Sequence, residues 1–512
     1  MRGELLGGVF FLCIPLGANG AGFFTGLGGD LPGDGFLSQA TGVSADGTAV
    51  SGSSLSAPGT QAFRWKVDSG LEGIGDLPGG SFYSLAIDIS DDGRIIAGTS
   101  HSARGIEAFR WVEGVGMTGL GALPGTIFRS EAQAISGDGS AVVGWSLPYL
   151  YSSKAFRWTE GDGMLNLQDL PGGGIESFAF GASQDGSSVV GRSGGSKGPE
   201  AFLWRVGVGM VGLGDLPKIA GIRQNNSKAN AISSDERFVV GWGTSAISFN
   251  GYPPLPLQAV RWVDGTPQGL GDLPGGDFFS EATGVSEDGA IVVGQASNDL
   301  GTTAFLWSDT SGMRELVAVL RSDFGLHLDG WHLFEARDLS AGGDVAVGNG
   351  INPDGLEEGW IAFLTPEGLP ARIRVGEDEG IPHVVVGPGV IPMVLFGSPV
   401  LEIGDVDLRS LSLMGTRPVH DLSDAEVLEE HLADVDGDGI TDLISHYDKT
   451  RILLERGEQR ICLTGEALAR GTFTGCAQVY VHVPRRCGLG FEVMPLLAVF
   501  LVGRRRCSSR WL

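Results

Sequence analysis

Between residues 40 and 364, short apolar runs alternate with turns rich in Gly, Asp and Ser. Residues 132–168 show the pattern most plainly. AQAIS predicts a strand, and GDG (137–139) predicts a hairpin turn, because Asp and Gly tolerate the left-handed backbone of such turns. SAVVGWS is nearly continuous in apolar residues, as in a strand buried on both faces. KAFRWTE predicts a third strand, with Phe156 and Trp158 on one face and Arg157 on the other. GMLNLQ predicts a fourth, and DLPGG turns the chain, its Pro removing a ladder donor and its Gly permitting positive φ.

The same phrases recur. The aromatic that ends AFRW falls at Trp65, Trp111, Trp158, Trp204, Trp262 and Trp307, with GWIAFL at 359–364 as a degenerate version. The regular spacing is 45–47 residues, with one longer gap that holds an insertion around 243–258. Four short strands in that length make a propeller blade, and a lone blade cannot bury both of its faces, so blades must stack. The first three strands of the unit occur seven times, beginning near Ala40, Ala86, Ala132, Ala179, Ala229, Ala282 and Ala336. The fourth also occurs seven times, but its first copy (23–33) precedes any blade and none follows the last. The N-terminal segment therefore supplies the missing strand of blade seven, which removes both edges. The expected fold is all-β: a seven-bladed β-propeller over 22–365, then a linker at 366–373 and a small β-rich domain at 374–484. The phrases GDLPGG, S.DG..VVG and AF.W resemble the HAF family of probable extracellular repeats over residues 24–364. That resemblance implies export and supplies no established activity.

In the second domain SDAEVLEEHLA (423–433) suggests a short acidic helix capped by Ser423 and Asp424. DVDGDGITDL follows. Asp434, Asp436 and Asp438 alternate, Gly439 allows a sharp turn, the carbonyl of Ile440 takes the seventh position and Asp442 follows. Alternating oxygens in a tight loop suit Ca²⁺, so structural calcium is the expected cofactor. Ser445 stands where an EF-hand has its last Glu, and the loop is similar to those of FG-GAP and dockerin-type modules.

Both ends of the chain read as addresses. Residues 1–21 carry an apolar run from Leu5 to Leu16 followed by small residues, as a secretory signal does. Residues 485–512 place Cys487 and Gly488, an apolar stretch, and then Arg504, Arg505 and Arg506. This order resembles the PEP-CTERM and MYXO-CTERM sorting signals of bacterial surface proteins. It implies a processed membrane anchor, with a signal peptidase and a sorting protease as partners. Cys462 and Cys476 are then the only pair left in the body of the chain, and export permits a disulfide between them. Gly is abundant, at 85 residues, which fits many turns, and the net charge of −26 argues against nucleic acid or anionic lipid as a partner.

Several motifs imitate chemistry. GRSGG (191–195) matches G-x-S-x-G, but Ser193 ends a predicted strand, where a nucleophile elbow needs a following helix. GVGMVG (207–212) lies in a predicted fourth strand and opens no helix. Asp46, Asp92, Asp138, Asp185, Asp235 and Asp288 belong to hairpin turns, and the repeated Trp residues to packing between blades. The eight His are scattered, without an H-E-x-x-H pattern. The expectation is a non-enzymatic binding or structural protein, secreted or held at the bacterial cell surface, whose loops meet an unknown extracellular ligand such as a polysaccharide or protein. The alternative is a polysaccharide-cleaving propeller enzyme. Its acids and bases would come from Asp329, His332, Glu335 and Asp338 of the irregular seventh blade, or from the insertion 243–258.

Overall fold

The computed structural model describes residues 23–364 except 29–30, 32–35, 68, 218–224, 245–255, 325, 327 and 329, and separate stretches between 369 and 482. The expected ring is present: seven four-stranded antiparallel sheets follow one another along residues 23–364. Their inner strands are Ser38–Val43, Gly79–Ile89, Ser130–Ile135, Ser177–Ala182, Ser227–Ile232, Ser280–Val285 and His332–Leu339. The outer strand of blade 7 is Phe23–Gly26, which pairs antiparallel with Glu357–Phe363 in the register Phe23↔Phe363 to Gly26↔Trp360. The first strand thus closes the ring on the last blade.

Side chains common to the repeats hold neighbouring blades together. A buried Ser near the start of each of six inner strands accepts a backbone N–H from the third strand of the blade before it. Ala62 N–H donates to Ser84 Oγ at 2.9 Å, Ala108 to Ser130 at 2.9 Å, and Gly359 to Ser38 at 3.3 Å across the closure. Ser84 Oγ in turn donates to the Gly75 carbonyl at 2.6 Å, tying down the connecting turn. Arg of the FRW or VRW phrase reaches the Gly carbonyl of the next blade's DG turn: Arg110 to Gly139 at 3.0 Å, Arg157 to Gly186 at 2.6 Å and Arg261 to Gly289 at 2.5 Å. The Arg64 and Arg261 guanidinium groups also lie over Trp111 and Trp307 of the next blade, 4.9 and 4.5 Å from the ring centroids.

Phe and Trp fill the spaces between blades. Ala155, Leu167 and Leu170 of blade 3 form one cluster with Ala179, Val189, Phe202 and Trp204 of blade 4. Burying each such aromatic contributes about 1.5–3 kcal/mol, so a ring of equivalent interfaces carries most of the stability. The repeated Trp residues are packing groups, as their phrase predicts.

Each inner strand carries a β-bulge after its invariant Ala, where the register slips by one residue. The extra residue is unpaired and its side chain is re-aimed. The bulge also pushes a carbonyl toward the Gly of the second strand. A Cβ on Gly144 would overlap Glu131 O, and one on Gly52 would overlap both Gln39 O and the Phe63 ring. The repeated VVG phrase needs Gly for this close approach.

Three places differ from the periodic reading. Leu316–Ser322 is a helix in place of a GDLPGG turn, and it buries Leu316, Val319 and Leu320 at helical spacing. Glu236 stands at φ 64 where the other turns have Gly, paying for it with bonds from Ser187 and Arg205. Leu432–Ala433, the end of the expected 423–433 helix, is a strand paired with Asp442 and Leu443, while residues 423–430 lie outside the described ones.

The second domain contains two sheets. One orders Ile373–Val375, Val390–Leu395, Asp442–Asp448 and Leu432–Ala433, and the other is built on the hairpin Gly457–Ala467 and Gly471–His482. Leu369–Pro370 already pairs with that hairpin, so sheet structure begins within 366–373. Ile391, Met393, Leu395, Leu411, Leu443, Tyr447 and Leu463 are buried.

Replacing Gly144 by Ala is expected to cost about 1–3 kcal/mol by overpacking. Gly161→Ala, at an exposed turn with nothing within 4 Å of the added methyl, is expected to leave the melting temperature within about a degree. Denaturant melts of the two variants check the close approach, and equal stabilities would contradict it.

Candidate functional site

The seven bulges aim Thr41, Ile87, Gln133, Phe180, Asn230, Thr283 and Arg337 into one central channel of about 290 Å³. The residue before each is Ala in every blade, whereas these seven are nearly all different. At one end of the channel, backbone bonds link the hairpin turns of neighbouring blades. Ala45 N–H donates to Asp91 O at 3.1 Å and Asp91 N–H to Gly137 O at 2.8 Å. The hairpin Asp residues of this end accept bonds within their own turns, such as Ser44 Oγ–H and Thr48 N–H on Asp46. The Ala290 N–H and the Ser286 hydroxyl hold Asp288 below the usual carboxylate range. These residues serve the turns, as expected.

Toward the other end, at the channel mouth, Lys228 and Glu281 precede the bulges of blades 5 and 6. Lys228 Nζ lies 3.7 Å from Glu281 and 4.1 Å from the centroid of Phe180. Asn230 and Gln295 also donate to the Glu281 carboxylate, at 2.9 and 3.2 Å. Burial lowers the Lys228 pKa against the attraction of Glu281, and nearby Arg337 lowers it further.

Aromatic rings lead outward from Phe180. Phe178 lies nearly parallel to it, with centroids 6.3 Å apart, and Trp145 meets Phe178 edge-on at 5.8 Å. Arg129 covers Trp145 at 5.2 Å. Phe178 also lines a second cavity of about 460 Å³ between blades 3 and 4, with Tyr151, Ile175, Glu176 and Arg192. Arg192 donates to Asn226 Oδ1 at 2.8 Å, while its Nε is buried without a partner. Beside this groove the hairpin tip of blade 3 exposes three large residues in a row: Tyr149, Leu150 and Tyr151 are 53%, 66% and 76% exposed. Tyr151 holds φ 61, a backbone region that costs a bulky residue energy. The periodic reading overlooked this tip. Its signal is an apolar run, PYLY, where the corresponding hairpins of blades 1, 2 and 4 carry small or polar residues.

Deeper in the channel, Asp88 and Asp338 occupy the position that is Gly or Ala in the other five blades. Each carboxylate accepts two backbone N–H groups. Asp88 takes those of Ile89 and Ile135, and Asp338 those of Leu339 and Val43, in each case one from its own blade and one from the next. Burial raises both pKa values, and the charge of Asp338 adds to the rise at Asp88.

Among the described residues, those proposed for a hydrolytic site at blade 7 do not converge. His332 and Asp338 sit at opposite ends of one strand, roughly 20 Å apart at about 3.3 Å per residue. Glu335 is engaged by Asn349 at 2.8 Å and Arg337 at 3.5 Å, and Asp329 and most of the insertion lie outside the described residues. Ser193 is buried and accepts the Leu170 N–H at 3.0 Å, so it anchors a turn. Asp434, Asp436, Asp438 and Ile440 lie outside the described residues, and Asp442 begins a strand. Cys462 and Cys476 stand opposite one another in the hairpin register. Cys487, Gly488 and the terminal Arg cluster lie outside the described residues. His420, His431 and His446, scattered in sequence, converge in space.

Because the folded-state pKa values of Asp88 and Asp338 are raised, folding favours their protonated forms. The stability this contributes is complete below the ordinary Asp range, near pH 4, and is lost as pH rises through the raised values. Asp88→Asn is therefore expected to flatten the fall in melting temperature between about pH 5 and 9 relative to the unaltered chain. Thermal melts across that range test this, and parallel pH profiles would count against the carboxyl pair.

No family model matches the sequence, and no curated protein matches it. Solved structures with some likeness include TolB from Acinetobacter baumannii, at 13% identity and TM-score 0.33, covering 53% of this chain and 60% of that one. They include an oligogalacturonate lyase from Vibrio parahaemolyticus, at 9% identity and TM-score 0.41, covering 67% of this chain and 97% of that one. The Cps50 (Swd1) β-propeller domain of Myceliophteria thermophila gives 11% identity and TM-score 0.36, covering 67% of this chain and all 100% of the domain.

Proposed function

We propose that the protein is an exported polysaccharide-binding propeller of the bacterial exterior, with calcium ordering the loop at 434–442 of its second domain. The observation that carries this reading is the path from the exposed Tyr149–Leu150–Tyr151 tip, through the blade 3–4 groove, to Phe178 and Phe180 at the channel mouth. A sugar offers an apolar ring face beside a rim of hydroxyls. Aromatic faces take the first, and the amides and carboxylate of Gln133, Asn230 and Glu281 suit the second. Lys228 and Arg337, two cations sharing the mouth, favour sugars that bear a carboxylate. Exposed large apolar side chains grouped at one cleft mark an interaction site rather than a random surface.

Tyr151→Gly relieves the positive φ and removes a groove wall, while Phe178→Ala removes the central platform. Each is expected to weaken binding at least about tenfold, a loss near 1.4 kcal/mol, with Tyr151→Gly keeping the melting temperature. Arrays of neutral and uronate-containing polysaccharides, read for binding and for chain cleavage, provide the test. Binding that survives both substitutions would overturn the assignment, and cleavage would establish the enzymatic alternative.

A further inference from the structure

Three histidines distant in sequence meet at one point of the second domain. His446 lies within the strand Asp442–Asp448, His431 directly precedes the strand Leu432–Ala433, and His420 follows the strand Val406–Leu413 by a short turn. Backbone bonds fix all three segments. The Ile444 N–H donates to His431 O at 2.8 Å, and the Val419 N–H donates to His446 O at 2.7 Å. The sheet therefore brings the rings together, whatever the rings gain from one another.

One ring nitrogen from each histidine lies within 4.8 Å of the other two. The ring centroids are 4.9, 5.6 and 5.8 Å apart. His420 Nδ1 and His431 Nε2 are 2.9 Å apart and share a hydrogen. His446 Nδ1 is buried and has no hydrogen-bond partner. Among the described residues no carboxylate or thiol joins the group. Three imidazoles so placed cannot all be satisfied by each other, and protonating two of them would set like charges side by side. A divalent cation satisfies all three.

We propose that His420, His431 and His446 bind a divalent transition-metal ion, with Zn²⁺ as the reference case and a fourth position left open. Three imidazoles with an open place form a known type of zinc ligand set. Imidazole selects Zn²⁺, Co²⁺, Ni²⁺ or Cu²⁺ over hard Ca²⁺, so this site is chemically distinct from the carboxylate loop at 434–442. Closing around zinc requires the nitrogens to settle roughly 3.3 Å from one another, given Zn–N bonds of about 2.0–2.1 Å, so the 2.9 Å pair opens slightly while the third ring draws in. His420 is exposed and free to supply much of that movement. It also borders a pocket of about 510 Å³ with Arg409, Arg417 and Pro418, a space that could hold a water or anion as fourth ligand.

The test uses the whole chain, stripped with chelator, and titrates Zn²⁺ and Co²⁺ with excess Ca²⁺ present to fill carboxylate sites. One Zn²⁺ per chain is expected, together with the intense visible bands of four- or five-coordinate Co²⁺. His446→Ala and His420→Gln should each weaken binding by about 100-fold or more, since even outer groups around such metals cost 10–100-fold. His420 is exposed, so His420→Gln keeps the test valid should His446→Ala impair folding. No binding of Zn²⁺ or Co²⁺ at micromolar concentration, or binding indifferent to His420→Gln, would overturn the site.

Discussion

A ring of sheets has no edge only while its two chain-distant members stay paired. Here four residues near the start of the described chain, Phe23–Gly26, pair with the strand Glu357–Phe363. Side chains reinforce that seam. Asn349 Nδ2 donates to Ala40 O at 3.2 Å and its Oδ1 accepts the Ala40 N–H at 2.9 Å, while Gly359 N–H donates to the buried Ser38. Every other interface in the ring is local in sequence. This one joins residues more than 300 positions apart, so loop-closure entropy falls on it most heavily. The other blades keep their partners on both sides only because the seam holds.

The β-bulge links fold to function. One extra residue per inner strand forces Gly into the second strand and turns a single side chain into the channel. A repeat that must otherwise stay uniform thereby gains seven positions free to differ. Asp88 and Asp338 lie one residue beyond two of these bulges, where other blades have Gly or Ala. They use backbone N–H groups of the next blade as partners, which fastens blades 2 and 7 to their neighbours at the cost of burying two acids.

Much of this was legible in the residues. Ala, Ser, Gly, Arg and Trp recur at fixed offsets because each makes an equivalent contact where it recurs, and the count of strands implied closure. The blade 3 tip is legible too, as PYLY in a hairpin, an apolar run that matches no catalytic motif. The helix Leu316–Ser322 escaped because its buried residues fill barely two turns, too short a stretch for a period to stand out. The acids at 335 and 338 looked like a catalytic group on one strand. Glu335 is instead engaged by Asn349, while Asp338 bonds to backbone groups on its own blade and on blade 1.

Sequence alone determined the number of blades, their strand order and the partner of the first strand, because those follow from local periodicity and a count of repeats. Tertiary structure decided which residues share a site. Phe178 and Trp145 lie on different blades, and His420, His431 and His446 are separated by turns and strands with no common spacing. A metal motif is visible in sequence only when its ligands ride on one element. Here three segments carry them, and only the pairing of backbones across a sheet places the rings within reach of one ion.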